Sequence, residues 1–287
     1  MESQARAGVP LRDYPDRSVW TTWTISYHAI RAKSMAAANL LLLWACLDNT
    51  DLWYGLLAEA HLRSTAVADY LSEWLPNIAS DEVNFIVAMQ LLQSYSLVED
   101  VQDLASYATH PVVHRWAFHV QDKEQRVVFT WLAVLVVGWA VPEISEKEYL
   151  SVQRRLLAHA QRCCQWIIRC VADTRARSQG GNASRAHVEQ DYIMLGAIRA
   201  LGLLYANQGK LVEAEKMYRR ALEGYEKTLG RDHISTLDTV SNLGVLYMNQ
   251  GKLCEAEKMY QQALEGYEKA LVSPSAEYQC SNPLSIE

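Results

Sequence analysis

LGLLYANQGKLVEAEKMYRRALEGYEKTL (201–229) returns as LGVLYMNQGKLCEAEKMYQQALEGYEKAL (243–271), 42 residues further on. Of the 29 aligned positions six differ (203/245, 206/248, 212/254, 219/261, 220/262 and 228/270) and 23 are identical. A tandem repeat of this length is the mark of a solenoid, in which each unit covers its neighbour's apolar face. Each copy reads as two helices broken at Asn207-Gln208-Gly209 or at Asn249-Gln250-Gly251. The glycine supplies the left-handed residue that ends the first helix of the pair. Stacked helix pairs make binding surfaces, so the class of function this points to is binding rather than catalysis.

Outward from the repeats the chain changes character. All nine Trp lie between Trp20 and Trp166, none of them in the repeats, which predicts two unrelated modules within the 287 residues. From Ser34 to Thr109 there are ten acidic residues and one basic residue, Arg63. Such a surface repels phosphate backbones. The repeats carry ten basic and ten acidic residues over 193–271, with no basic stripe.

Hydrophobic periodicity predicts a helix from Ser18 and further helices over 36–47, 52–60, 66–75 and 83–93. Asp48-Asn49-Thr50-Asp51 is read as a break that caps the helix after it, and Ser80 as a hydroxyl cap with acids behind it. Leu97-Val98 and 104–107 are expected to form two short strands around a polar turn, the helices-then-hairpin order of a winged helix. Helices over 112–120, 124–141 and 147–172 follow. The whole is expected to be mainly α. A polar tail (1–17) precedes a winged-helix-like domain (18–112) and a helical bridge (113–172). A linker (173–192), two repeat units (193–276) and a disordered tail (277–287) complete the chain.

The second module resembles the tetratricopeptide repeat, in its kinesin-light-chain-like form. The resemblance rests on Leu201-Gly202-x-x-Tyr205 with Ala214, Tyr218 and Ala221, and on Leu243-Gly244-x-x-Tyr247 with Ala256, Tyr260 and Ala263. The usual early Trp is Ile198 in one unit and Val240 in the other. Such repeats bind peptides or helices on the concave face of their first helices. That implies Arg199, Leu203, Ala206 and Asn207, then Asp238, Ser241, Val245, Met248 and Asn249, as the residues that would meet a protein ligand. Two units are fewer than the three usually needed for stability. Either the helices of 124–172 stack below them, or another surface, including a second copy, covers the open end.

The first module is similar to the winged-helix segment of NB-ARC-type signal-transducing ATPases, and most of all to fungal NOD-like-receptor proteins that carry kinesin-light-chain-like repeats. The residues that carry this are 23–27, 36–43, Leu47-Asp48, 95–98 and Thr109-His110-Pro111 through Trp116. The resemblance implies a nucleotide-sensing role for His110 when an NB-ARC domain is supplied, though the flanking Thr and Pro depart from the family's Met-His-Asp. It implies a nucleotide-binding domain ahead of residue 18, and no GxxxxGK[ST] loop is present. The function expected is a non-catalytic interaction module of a receptor, with a scaffold or cargo adaptor as the alternative and an ATPase subunit completed in trans as the second. The partners expected are a protein or peptide ligand, an NB-ARC ATPase, or another copy of the chain; no nucleic acid, membrane or cofactor is expected.

Other chemistry finds little support. His110-x-x-x-His114 has zinc-ligand spacing, but Pro111 stands where HExxH has Glu. The six Cys (46, 163, 164, 170, 254 and 280) form no CxxC and read as reduced thiols, those at 163, 164 and 170 in an apolar helix. No signal-peptide core opens the chain, and the longest apolar stretch, 127–141, is short of the ~20 residues that span a bilayer. A cytoplasmic location is expected.

Overall fold

The computed structural model describes residues 14–101, 105–174 and 185–272. Among them are twelve helices and one hairpin: α1 (Tyr14–Lys33), α2 (Met35–Trp44), α3 (Tyr54–Arg63), α4 (Thr65–Trp74), α5 (Glu82–Ser94), β1 (Glu99–Val101), β2 (Ser106–Ala108), α6 (Pro111–His119), α7 (Lys123–Trp139), α8 (Tyr149–Thr174), α9 (Arg185–Asn207), α10 (Leu211–Thr228), α11 (Ile234–Asn249) and α12 (Leu253–Val272). The fold is mainly α, as expected. It divides into two compact units, one drawn from Met1–Ala140 and Ala158–Arg169, the other from Val141–Leu157 and Cys170–Glu287.

The first unit is built around α2, MAAANLLLLW, buried at every residue from Ala37 to Trp44. Ser34 caps it, its hydroxyl accepting from the Ala37 amide at 3.1 Å. An all-apolar helix ends in carbonyls that lack helical partners, and inside a core these need side-chain donors. Here they find them. His114 Nε2 lies 3.1 Å from both the Trp44 and the Leu47 carbonyls, Gln121 donates to Leu42 O at 2.9 Å, and Trp166 donates to Cys46 O at 2.8 Å. The next turn is held by His159, whose Nδ1 accepts from the Asp48 amide while Nε2 lies 3.1 Å from Asp51 O. Burial holds the His114 imidazole below its ordinary range, and its carbonyl partners only partly offset this. α7 starts on a capping box between Asp122 and Gln125 and is buried from Phe129 to Gly138 except at Trp131.

Several local expectations are corrected. Asp81, not Ser80, caps α5, because its carboxylate reaches the Val83 amide at 2.8 Å and Asn84 secures the other oxygen. Asp48 closes its own turn by accepting from the Thr50 amide and hydroxyl, and α3 follows Trp53 without a side-chain cap. Leu97 and Val98 are buried ahead of the hairpin and are not in it. Two adjacent buried residues cannot alternate as a strand does, and Leu97 closes α5 by bonding back to Leu92 O. The ladder therefore pairs Glu99 with Ala108 and Val101 with Ser106, and Tyr107 bridges Leu52 on its other side. α1 begins four residues before Ser18, inside the expected tail; residues 1–13 and 273–287 lie outside the described residues. The expected linker is shorter too, since α9 starts at Arg185. Extending a helix already anchored by buried Ile193 and Leu195 needs no new nucleus, and Ala, Arg, Glu and Gln favour it.

In the second unit α9 pairs with α10, α11 with α12, and α11 lies on α10. The repeat fixes each contact twice. Gly202 faces the Tyr218 ring as Gly244 faces that of Tyr260, and Leu195 fills the space over Gly224 as Leu237 does over Gly266. Gly209 and Gly251 take φ of +70° and +75°, and the next amide, of Lys210 or Lys252, bonds back at 2.9 Å to the carbonyl of Tyr205 or Tyr247. Residues 141–157 join this unit, and Gln208 reaches Gln153 of α8 at 3.2 Å.

Candidate protein-binding face

The first helices of the two repeats, α9 and α11, touch, so residues 42 apart stand at equivalent places on neighbouring helices. Leu203 and Val245 are exposed at 42% and 44%, with Met248 at 49%. Asn207 and Asn249 are exposed one turn further on. Apolar side chains in one row and amides in the next are the mixture a peptide-binding surface uses: burial for affinity, amides for backbone groups.

The remaining expected residues are placed differently. Ser241 and Ala206 are half-buried. Asp238 is half-buried and turned toward α12, where its Oδ1 accepts from the Tyr267 hydroxyl at 2.5 Å. Burial first, then this carboxylate, push the Tyr267 hydroxyl up to about 12. Arg199 is half-buried and acts on Tyr225, where it opposes the burial that raises that hydroxyl to about 12. Both charges thus serve tyrosines of the second helices. Tyr192 joins them, its ring tilted against that of Tyr225 with centroids 6.0 Å apart and its hydroxyl 3.4 Å from Ser235 Oγ.

A polar latch between the repeats was not foreseen. Tyr247 of α11 donates to Glu215 Oε1 at 3.1 Å and receives the Arg219 guanidinium at 2.6 Å. Gln250 donates to Glu215 Oε2 at 3.3 Å, and Lys252 Nζ stands 3.7 Å from it. Burial would raise the Glu215 carboxyl, but Arg219, Gln250, Tyr247 and Lys252 together hold it below its ordinary value. The signal for it was present in the sequence, since Glu215, Tyr247 and Gln250 recur in both copies. Only the pairing across the repeat boundary was hidden.

His110 caps α6, its Nδ1 accepting from the Val112 amide at 3.3 Å, with Pro111 at the first helical position. The ring is exposed. His114, four residues on, is buried against the end of α2, so the two imidazoles serve different tasks. Among the described residues no group of three or more His, Cys, Asp or Glu could hold a metal. Cys46 and Cys163 are buried, and burial pushes the Cys46 thiol up to about 11 and Cys163 up further. Both are core thiols, unsuited to nucleophilic work. No helix among the described residues is long and apolar enough to cross a membrane.

Residues 194–269 match the family model described as Tetratricopeptide repeat. No curated protein matches the chain. The match spans α9 to α12, the four helices whose contacts repeat at 42 residues. This part of the chain is a helical repeat of the kind that serves protein–protein interaction.

Proposed function

We propose that the chain is a non-catalytic, cytoplasmic binding protein whose repeats take an extended or helical segment of a protein ligand along α9 and α11. The observation that carries this is the doubled row of Leu203 and Val245, side chains left exposed where their neighbours Leu201, Leu204, Leu243 and Leu246 are buried. Asn207 and Asn249 border it. Arg199 and Asp238, turned to Tyr225 and Tyr267, stand behind this row rather than in it. The test is affinity capture from extract with the full chain and with the double variant Leu203→Asp, Val245→Asp, partners being identified by mass spectrometry. Both positions are exposed, so the fold should survive. Partners captured by the full chain and lost with the double variant are the expected result. Identical capture by both proteins would overturn the proposal.

A receptor role is supported by a second observation. His110, to which the resemblance implies a nucleotide-sensing role, is exposed, although its Nδ1 also caps α6. A receptor of that kind would hold an NB-ARC ATPase through this unit, and His110→Ala would weaken that association. A scaffold or cargo adaptor would be indifferent to His110→Ala. An ATPase completed in trans would show turnover only on mixing.

A further inference from the structure

The duplication shows what is missing from the last helix. In the first repeat α10 presents Leu211, Ala214, Glu215, Tyr218 and Leu222 to α11, which covers them; Tyr218 is left 2% exposed. Forty-two residues on, α12 presents Leu253, Ala256, Glu257, Tyr260 and Leu264, the same residue types in the same places. α11 packs on Ala256 and the Tyr260 ring from its own side, but no described helix lies on α12 as α11 lies on α10. Leu253 is 67% and Leu264 59% exposed, and with Met248 and Tyr260 they line a groove of about 520 Å³. The face is built to receive a helix shaped like α11.

Its charge selects among occupants. Glu215 is met by Arg219 on its own helix and by Lys252 at the end of the covering helix. Glu257 has neither. The equivalents of Arg219 and Arg220 are Gln261 and Gln262, two of the six positions at which the copies differ. Glu257, the one charged residue lining the groove, forms no ion pair among the described residues; Lys258 and Lys269 of the same helix are exposed outside its lining. A second copy laying its own α12 here would oppose acid to acid. Residues 273–287 hold two acids, two prolines and no Lys or Arg, so they offer Glu257 no cation. We infer that the exposed face of α12 is a second docking surface, separate from the α9–α11 face, and that it takes a basic amphipathic helix of a partner protein, with leucine-sized side chains over Leu253, Tyr260 and Leu264 and a Lys or Arg against Glu257.

The probe is a labelled peptide of residues 192–210 of this chain, YIMLGAIRALGLLYANQGK, which carries Arg199, Lys210 and no acid, with Tyr205, Gln208 and Lys210 at the positions of Tyr247, Gln250 and Lys252. Fluorescence anisotropy with the full chain should give saturable binding. Leu264→Asp should weaken it by about tenfold or more, the effect of losing one buried leucine. A Lys210→Glu peptide should bind more weakly, and Glu257→Lys in the protein should recover part of that loss, whereas Leu203→Asp with Val245→Asp should leave binding unchanged. Circular dichroism checks that each variant is folded. Absent saturable binding, or binding indifferent to Leu264→Asp and to the charge exchange, would overturn the inference. So would a dimer of the free protein that Leu264→Asp dissolves, which would assign the face to a second copy. Peptide binding that appears only when the chain ends at Val272 would assign it to the chain's own last residues.

Discussion

A methyl group on Gly202 would lie 2.7 Å from the Tyr218 ring, and one on Gly244 would lie 2.9 Å from the ring of Tyr260. The two sites are sequence twins, yet their surroundings differ. Tyr218 is 2% exposed beneath α11, while Tyr260 borders the open groove on α12. Alanine gains ~1 kcal/mol over glycine in a helix interior, and overfilling a closed contact costs ~1–3 kcal/mol. Gly202→Ala should therefore lower stability by about 1–2 kcal/mol, because the ring it strikes cannot move. Gly244→Ala should be nearly neutral, within about 0.5 kcal/mol, because Tyr260 can turn into the groove. Thermal melts of the two single variants check this. Equal losses would mean that Tyr260 is held as tightly as Tyr218, and hence that something covers α12 in the free protein.

Between elements, the contact that orders the repeats is the latch of α11 on α10 through Glu215. Its carboxyl is held below the ordinary value near 4.5, so its contribution is complete above that value and is lost as pH falls through the lower, folded-state one. Against Glu215→Gln, the native chain should be more stable near neutrality by on the order of 1 kcal/mol. The gap should close in acid. Urea titrations of both proteins from pH 7 to about pH 3 check the sign, and a gap that widened in acid would show that the carboxylate destabilises the interface. The latch also shows how far sequence carries. The helix pairs and their glycine ends were legible, because periodicity, Gly209 and Gly251 are local facts. Choices settled by tertiary contact were not. Asp81 displaces Ser80 as a cap by reaching one amide, Leu97 is drawn from the strand into the core, and Asp238 turns inward to Tyr267 although its register suggests the ligand face. Of the residues proposed for the binding face, Leu203, Asn207, Val245, Met248 and Asn249 are exposed, because nothing among the described residues competes for them.

Over the whole molecule the formal charge of −6 is unevenly spread, with ten acids against Arg63 between residues 34 and 109. The helix that would lie in a DNA groove in a winged-helix protein is α5, and its outer side carries Val83, Ile86 and Val87, exposed at 66%, 37% and 55%. It contains no Lys or Arg. Duplex binding draws its affinity from neutralised phosphates, and non-specific dissociation constants of ~10⁻⁴–10⁻⁶ M at physiological salt depend on several such contacts. A surface with none should lie weaker than that range. The full chain at about 10 μM in about 50 mM salt should leave a labelled duplex unshifted on a native gel, where a basic winged helix would retard it. A shift that fades as salt rises would show that cations elsewhere in the chain gather on one surface, and would return nucleic acid to the set of partners.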